Sequence, residues 1–404
     1  MTTSQVVESR GSLLGLPTYP DDPEFTGLTA LVTGANGISG YHMVRILAAS
    51  PDRWSRIYCL SRRPPPPNFF EDLGDGASRV KHISVDFLSS PVEIAERLKA
   101  EIDKMNFLHG LKEAALQPKR FLLQTGAKHY GFHMGPATNP SFESDPRITL
   151  EDNFYYPQED ALERYCNDTG AAWNVVRPSY IIGAVRDSAL NFMIGLAIFG
   201  AVESHLGRPL NFPGDYAAWD REYCQSTALL NAHFQEWVVL TDTAANQAFN
   251  IQDGQNFTWG RFWAYLATWY GTTWQPPADD ESKYKQVRCR HKNTPRGYGP
   301  TGTTRSTFSF LEWSGRLEVQ KVFGELAEKH GLVLEPFTEK NRAQIFGMVD
   351  SAVLGDWPLS LSMRKARKLG FFGTADSYRS CFQAMHNLAR LKLVVPPMVK
   401  EYVE

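Results

Sequence analysis

The stretch LVTGANGISGYHMVRILAAS, residues 31–50, decides the fold. Apolar and β-branched residues lead into TGANGISG, where Gly34, Gly37 and Gly40 recur at every third position. A helix-periodic run follows over 38–49, and Pro51 lies just past its end, where proline stops helices. Strand, glycine turn and helix together open a dinucleotide-binding domain. The glycines allow a tight turn and close backbone approach to a pyrophosphate. The helix N-terminus adds unpaired N–H groups and the positive end of its dipole. A glycine pattern alone is weak, and the strand-turn-helix context is what gives it meaning. The competing reading is a glycine turn that serves packing only.

Further along, residues 56–61 (RIYCLS) read as a second strand that ends at Arg62 and Arg63. An NAD binder carries an acid there for the ribose hydroxyls. Two guanidiniums, each able to grip a phosphate bidentately, point instead to NADPH. The alternative is a solvated basic loop. Pro64 to Pro67 cannot continue a strand and predict an extended loop. Residues 80–85 form a third strand ending at Asp86, which is either an adenine contact or a turn former. Thr33, Asn36, Ile38, Ser61 and Thr125 complete the expected cofactor contacts.

Residues 91–104 read as helix, and most of 99–120 does too, where a doubly wound sheet needs its fourth strand. Short strands return at 121–124, 173–177 and 248–251. Amphipathic helices follow at 319–330 and 378–391. The expected fold is α/β, a Rossmann-like doubly wound, mostly parallel sheet with one central strand missing. An N-terminal arm (1–25) precedes a nucleotide-binding domain (26–190). A C-terminal substrate-binding cap (191–404) sends the strand 248–251 back to the sheet.

Composition narrows the class. The chain has 404 residues, a net charge of −2, 43 % hydrophobic and 21 % charged residues, so no charge excess suggests nucleic acid. Five cysteines, odd in number and widely spaced without CxxC, argue against a disulfide framework or a metal site. The first 24 residues lack the apolar core of a secretory signal. The apolar run 190–202 is too short for a membrane span and is expected to pack in a core or line an apolar pocket. A cytoplasmic protein is expected. Segment 282–310 carries seven basic residues and no acid. It reads as a solvated loop, with a place near an anionic ligand as the alternative.

The usual short-chain dehydrogenase pattern sets tyrosine and lysine four apart on one helix, and no tyrosine here has a lysine four residues later. Three other stretches carry a different pattern: TGAKHY (125–130), NFYYPQED (153–160) and NVVRPSYIIG (174–183). With the later LGRPLNFPGD and FNIQDGQNFTW, they resemble the progesterone 5β-reductase/iridoid synthase family of atypical short-chain dehydrogenases/reductases, over roughly residues 27–404. The resemblance implies catalytic Lys128, from TGxKHY, and Tyr155, the first tyrosine of NFYY. It also implies NADPH-dependent 1,4-reduction of a small lipophilic enone, less often of a ketone, in secondary metabolism. A fixed ammonium beside a phenol favours the phenolate and stabilises charge on a substrate oxygen. Tyr156 and Tyr130 are the rival tyrosines, and His129 is expected to pack or hydrogen-bond. The helix around 190–199 and Phe346 either face the substrate or pack in the core. A homodimer is the assembly carried forward, without a nucleic-acid or membrane partner.

Against that family and the doubly wound pattern, about thirty residues are absent between Lys99 and Asn106. Each ladder group left buried and unpaired costs about 1–3 kcal/mol, against a total stability of about 5–15 kcal/mol. Direct pairing of the first strand with 121–124 would narrow the cleft and move Lys128 relative to the glycine loop. Three origins fit: a coding piece lost from the gene sequence, a degenerate paralogue, or a frame repurposed for chemistry without hydride. The functional alternatives to a reductase are therefore a non-redox cyclase or isomerase, and a non-catalytic binding protein.

Overall fold

The computed structural model describes residues 8–19, 22–86, 118–186, 191–355 and 357–403. Strand β1 (Leu28–Thr33) pairs in parallel with β2 (Trp54–Ser61), and β2 with β3 (Val80–Ser84). Strand β4 (Arg120–Gln124) pairs in parallel with β5 (Ala172–Pro178), and β5 with β6 (Gln247–Ile251). The orders β3-β2-β1 and β4-β5-β6 are the two wings of a doubly wound sheet. Among the described residues no ladder joins β1 to β4, so direct pairing across the expected gap is not found there. The helices expected over 91–104 and 99–120 fall mostly within 87–117, outside the described residues.

Burial differs between the strands that face the gap and the others. Central strands of a parallel sheet are normally buried on both faces. Here Ala30, Leu31 and Val32 of β1 and Phe121, Leu122 and Leu123 of β4 are only half-buried. Residues 174–178 of β5 and 249–251 of β6 are buried.

Helices hold the wings together. In α1 (Ile38–Ala48), Tyr41, Val44, Leu47 and Ala48 recur at helical spacing and bury against Ile57 and Cys59 of β2. Helix α2 (Tyr155–Thr169) covers the opposite face, where Leu162, Tyr165 and Cys166 pack with Phe121, Leu123 and Val175. The apolar run becomes α3 (Phe192–His205), buried on all sides from Phe192 to Glu203. It packs as a core helix. Phe346, likewise, lies in the core against Trp313 and Phe337.

Helix α4 (Ala228–Leu240) packs alongside α1 and spans the two wings. Its Glu236 accepts hydrogen bonds from Arg53 Nε and Trp54 Nε1, both at 2.8 Å. Gln235 donates to Gln124 Oε1 at 2.6 Å, and Gln124 donates onward to Ser39 Oγ at 2.7 Å. This side-chain chain links α4, the end of β4 and the start of α1.

Two segments differ from their sequence reading. Within residues 8–19 the chain forms a hairpin, Glu8–Arg10 with Leu13–Leu16, which also pairs with Thr374–Ala375. Leu13 and Leu16 join the core under α4, so this part is no loose arm. The basic segment forms an antiparallel hairpin, β7 (Lys285–Arg288) with β8 (Thr303–Ser306). Lys285 pairs with Glu312 at 3.0 Å, Arg305 with Asp215 at 3.5 Å and with Glu281, and Arg290 with Glu151. Three of the seven cations are met by the protein's own acids, and the segment is a hairpin with much of its surface exposed, not an unstructured loop. Pro67 opens a short helix, Pro67–Glu71, instead of continuing an extended loop. No helix among the described residues is long and apolar enough to cross a membrane, and none of their His, Cys, Asp and Glu side chains cluster as a metal site.

Candidate active site

The glycine turn is built as its spacing demands. Gly34 has φ +64°, a left-handed conformation that suits glycine. A Cβ at Gly40 would stand 2.3 Å from the Gly34 carbonyl oxygen and 2.8 Å from Ala35 Cα, so only glycine fits where α1 crosses the turn. Gly37 N–H closes the turn on Gly34 O at 2.9 Å. Gly37 also caps α1 without a side-chain hydrogen bond, which leaves the first N–H groups of Ile38 and Ser39 free of a capping side chain.

Around this turn lie the other expected cofactor residues. Asn36 donates through Nδ2 to Arg63 O at 2.8 Å, which ties the glycine loop to the end of β2. Its Oδ1 is buried without a partner among the described residues. Arg62 and Arg63 are exposed at that edge, Thr33 is exposed and Asp86 is half-buried just beyond β3. Ser61 and Thr125 turn inward. Ser61 Oγ donates to Arg63 O at 2.9 Å and meets His82 Nε2 at 3.0 Å, while Thr125 Oγ1 lies 3.4 Å from Glu159. Their side chains brace the site from beneath and do not line it.

Strand β4 ends at Gln124, and after Thr125 and Gly126 the chain turns through a single 3-10 turn, Ala127–Tyr130, closed by Gly131 at φ +76°. Lys128 is the exposed residue of that turn and makes no ion pair among the described residues. Tyr155 begins α2. A Cβ at Gly126 would stand 3.3 Å from the Tyr155 hydroxyl and 3.5 Å from Pro178 O, so the phenol lies over the glycine backbone at the strand end. Burial pushes the Tyr155 pKa up, which keeps it a protonated O–H donor. The Tyr155 hydroxyl has no hydrogen-bond partner among the described residues.

The rival tyrosines are occupied. Tyr156 Oη donates to His129 O at 2.7 Å and accepts from Ile148 N–H at 2.8 Å. Tyr130 Oη donates to Asn250 Oδ1 at 2.7 Å inside the core. His129 is buried, its Nδ1 3.4 Å from Glu159, and desolvation holds its pKa down.

Sequence reading missed the charged support under this site. Glu159 is buried 3.1 Å from Arg177. Burial pushes its carboxyl up, but His129 and Arg177 more than offset that and hold it below the usual range. The signal was present in VVRPS, because an arginine inside an apolar strand implies a buried acid partner. A second cluster joins His133 Nε2 to Glu151 at 2.9 Å, with Arg290 and His291 of the hairpin on the same carboxylate.

The fold and this site define a Rossmann-type oxidoreductase of the short-chain dehydrogenase/reductase class. The model for the PRISE-like Rossmann-fold domain matches residues 89–296, over half of the chain, and the chain belongs to that family. It is 30 % identical over 396 residues to the short chain dehydrogenase gsfE of Penicillium aethiopicum, covering 91 % of this chain and 99 % of that one. Those 396 aligned positions exceed the share of this chain that takes part, as they must where the relative has residues this chain lacks. It is 31 % identical over 271 residues to the 3-oxo-Delta(4,5)-steroid 5-beta-reductase of Arabidopsis thaliana, covering 60 % of this chain and 69 % of that one. The (S)-8-oxocitronellyl enol synthase CYC2 of Camptotheca acuminata is 28 % identical over 402 residues, covering 93 % and 95 %. The terminal R domain of the myxalamid PKS-NRPS pathway superposes with a TM-score of 0.53 at 14 % identity, over 93 % of this chain and 97 % of that domain, a likeness of fold alone.

Proposed function

We propose that the chain is an NADPH-dependent reductase of an α,β-unsaturated carbonyl, or of a ketone, on a small lipophilic substrate in secondary metabolism. The observation that carries this reading is the contrast between two adjacent tyrosines. Tyr156 has its hydroxyl engaged twice by backbone. Tyr155 presents a protonated hydroxyl with no partner among the described residues, over Gly126 just past the end of β4.

The residues fit a dinucleotide. The uncapped start of α1 and the tight Gly34–Gly40 contact suit a pyrophosphate, and the orphaned Asn36 Oδ1 suits a donor on the ligand. Arg62 and Arg63 would take the 2′-phosphate. When bound, NADPH supplies the hydride that adds to the β-carbon of the enone. Tyr155 donates its O–H to the carbonyl oxygen and holds the charge that develops there. Lys128, on the turn after the same strand, would add a positive group near the developing charge, beside the neutral O–H of Tyr155.

A non-redox or non-catalytic role is favoured by one observation, the absence of a β1–β4 ladder among the described residues. Titration with NADPH and NADH, followed by nicotinamide fluorescence, separates the readings. Tight NADPH binding with turnover of an enone such as 2-cyclohexen-1-one is expected. Tyr155→Phe should then lower kcat by about 100- to 1,000-fold and leave the NADPH Kd unchanged. A folded protein that binds neither nucleotide, or unchanged turnover in Tyr155→Phe, would refute the proposal.

A further inference from the structure

In the usual arrangement, a tyrosine and lysine four apart on one helix have their separation set by helix geometry. Here Lys128 stands on the turn after β4 and Tyr155 opens α2, so something else must fix one against the other. Asn153 is the side chain that touches both. Its Nδ2 donates to Lys128 O at 3.1 Å, and its Oδ1 accepts from Tyr155 N–H at 3.0 Å. The next backbone carbonyl, that of His129, is held by Tyr156 Oη. Two consecutive carbonyls of the lysine turn are thus tied to the first turn of α2.

From this geometry we infer that Asn153 is a positioning residue, an amide clamp that sets Lys128 relative to Tyr155. The inference rests on the reductase reading of these two residues. The chemistry of the side chain makes the case specific. Accepting from an N–H two residues on is an N-cap's task, and Ser, Thr and Asp do it as well as Asn. Donating at the same time to a carbonyl on another element requires the amide N–H2, which aspartate lacks. With one end on N–H and the other on C=O, the orientation of the amide is also fixed by its partners.

Asn153→Asp and Asn153→Ser separate capping from clamping. Both keep an acceptor for Tyr155 N–H, so both should melt close to the wild type and bind NADPH with an unchanged Kd. Neither carries the amide donor. A clamp therefore predicts a fall in kcat for 2-cyclohexen-1-one in both variants, on the order of 100-fold for a displacement near 1 Å, with little change in KM. Serine adds no charge, so a loss confined to the aspartate variant, seen as a shifted pH profile with an intact plateau, would mark electrostatics and overturn the clamp. Wild-type turnover in Asn153→Ser would overturn it as well. Crystal structures need no turnover: the 127–130 turn should move away from Tyr155 in both variants, and superposition without displacement would refute the inference. Wild-type protein that never oxidises NADPH would instead refute the reductase reading.

Discussion

Replacing Gly40 with alanine puts the glycine turn to its sharpest test. The added Cβ would lie 2.3 Å from Gly34 O, where ordinary contact begins at 3.4 Å, so about 1 Å of backbone movement is required. The obstructing atoms are all backbone, Gly34 O and C and Ala35 Cα, and none can rotate aside. The Gly34 carbonyl also accepts the turn-closing hydrogen bond from Gly37. Relief therefore comes from opening the turn or lifting α1 off β1. Overpacking of this kind costs about 1–3 kcal/mol. At 1.4 kcal/mol per tenfold, the NADPH Kd should rise about 5- to 150-fold, and Tm should fall by about 2–6 °C. Gly37→Ala is the control. Its Cβ would lie 3.3 Å from the same oxygen at φ −78°, so the fold should tolerate it. It should weaken NADPH only, by intruding on the backbone approach to the pyrophosphate. Fluorescence titration and thermal melts on both variants decide the matter. Gly40→Ala that melts and binds like the wild type would refute the reasoning.

Three further outcomes are expected. Arg177→Met leaves buried Glu159 with only the more distant guanidinium of Arg147, at 3.6 Å, and should destabilise the protein by about 2–4 kcal/mol, a loss that Glu159→Gln in the same chain should partly restore; denaturant melts giving equal stability for single and double variants would contradict this. Burial pushes Asp253 up to about 6 despite hydrogen bonds from Thr227 and Ser377, against an unfolded value near 3.9. Its contribution is therefore fully present below the unfolded value and is lost as pH rises through about 6. The stability of the wild type relative to Asp253→Asn should thus fall by about 2 kcal/mol between pH 4 and pH 7.5, and parallel pH curves would exclude this. Arg62→Ala with Arg63→Ala should erase at least about tenfold of the preference for NADPH over NADH, and an unchanged ratio of the two Kd values would remove these residues from the phosphate site.

Local pattern carried the sequence reading a long way. The glycine spacing, the apolar strands and the proline after α1 act within a few residues of one another, so β1, α1 and β2 were legible with their ends nearly in place. The resemblance singled out Lys128 and Tyr155; Lys128 lies on the turn after β4 and Tyr155 opens α2. The break in the pattern before residue 121 was legible too, because a doubly wound sheet has a fixed count of strands.

What the sequence left open depends on contacts between distant segments. Only the folded chain shows that β1 and β4 share no ladder among the described residues, since strand pairing is a long-range choice. Two adjacent tyrosines look alike in a string. One hydroxyl is engaged by His129 O and Ile148 N–H, and the other stays open, because α2 presents them in different directions. The basic segment read as a loop because the pairing of 285–288 with 303–306, and acids such as Asp215, Glu312 and Glu151 that meet its cations, depend on the folded chain. Nothing in the string marks Asn153 until the turn bearing Lys128 arrives beside it. Residue types and their near spacing determined the frame and its chemistry; tertiary packing decided which polar atoms were consumed and which remained open to a ligand.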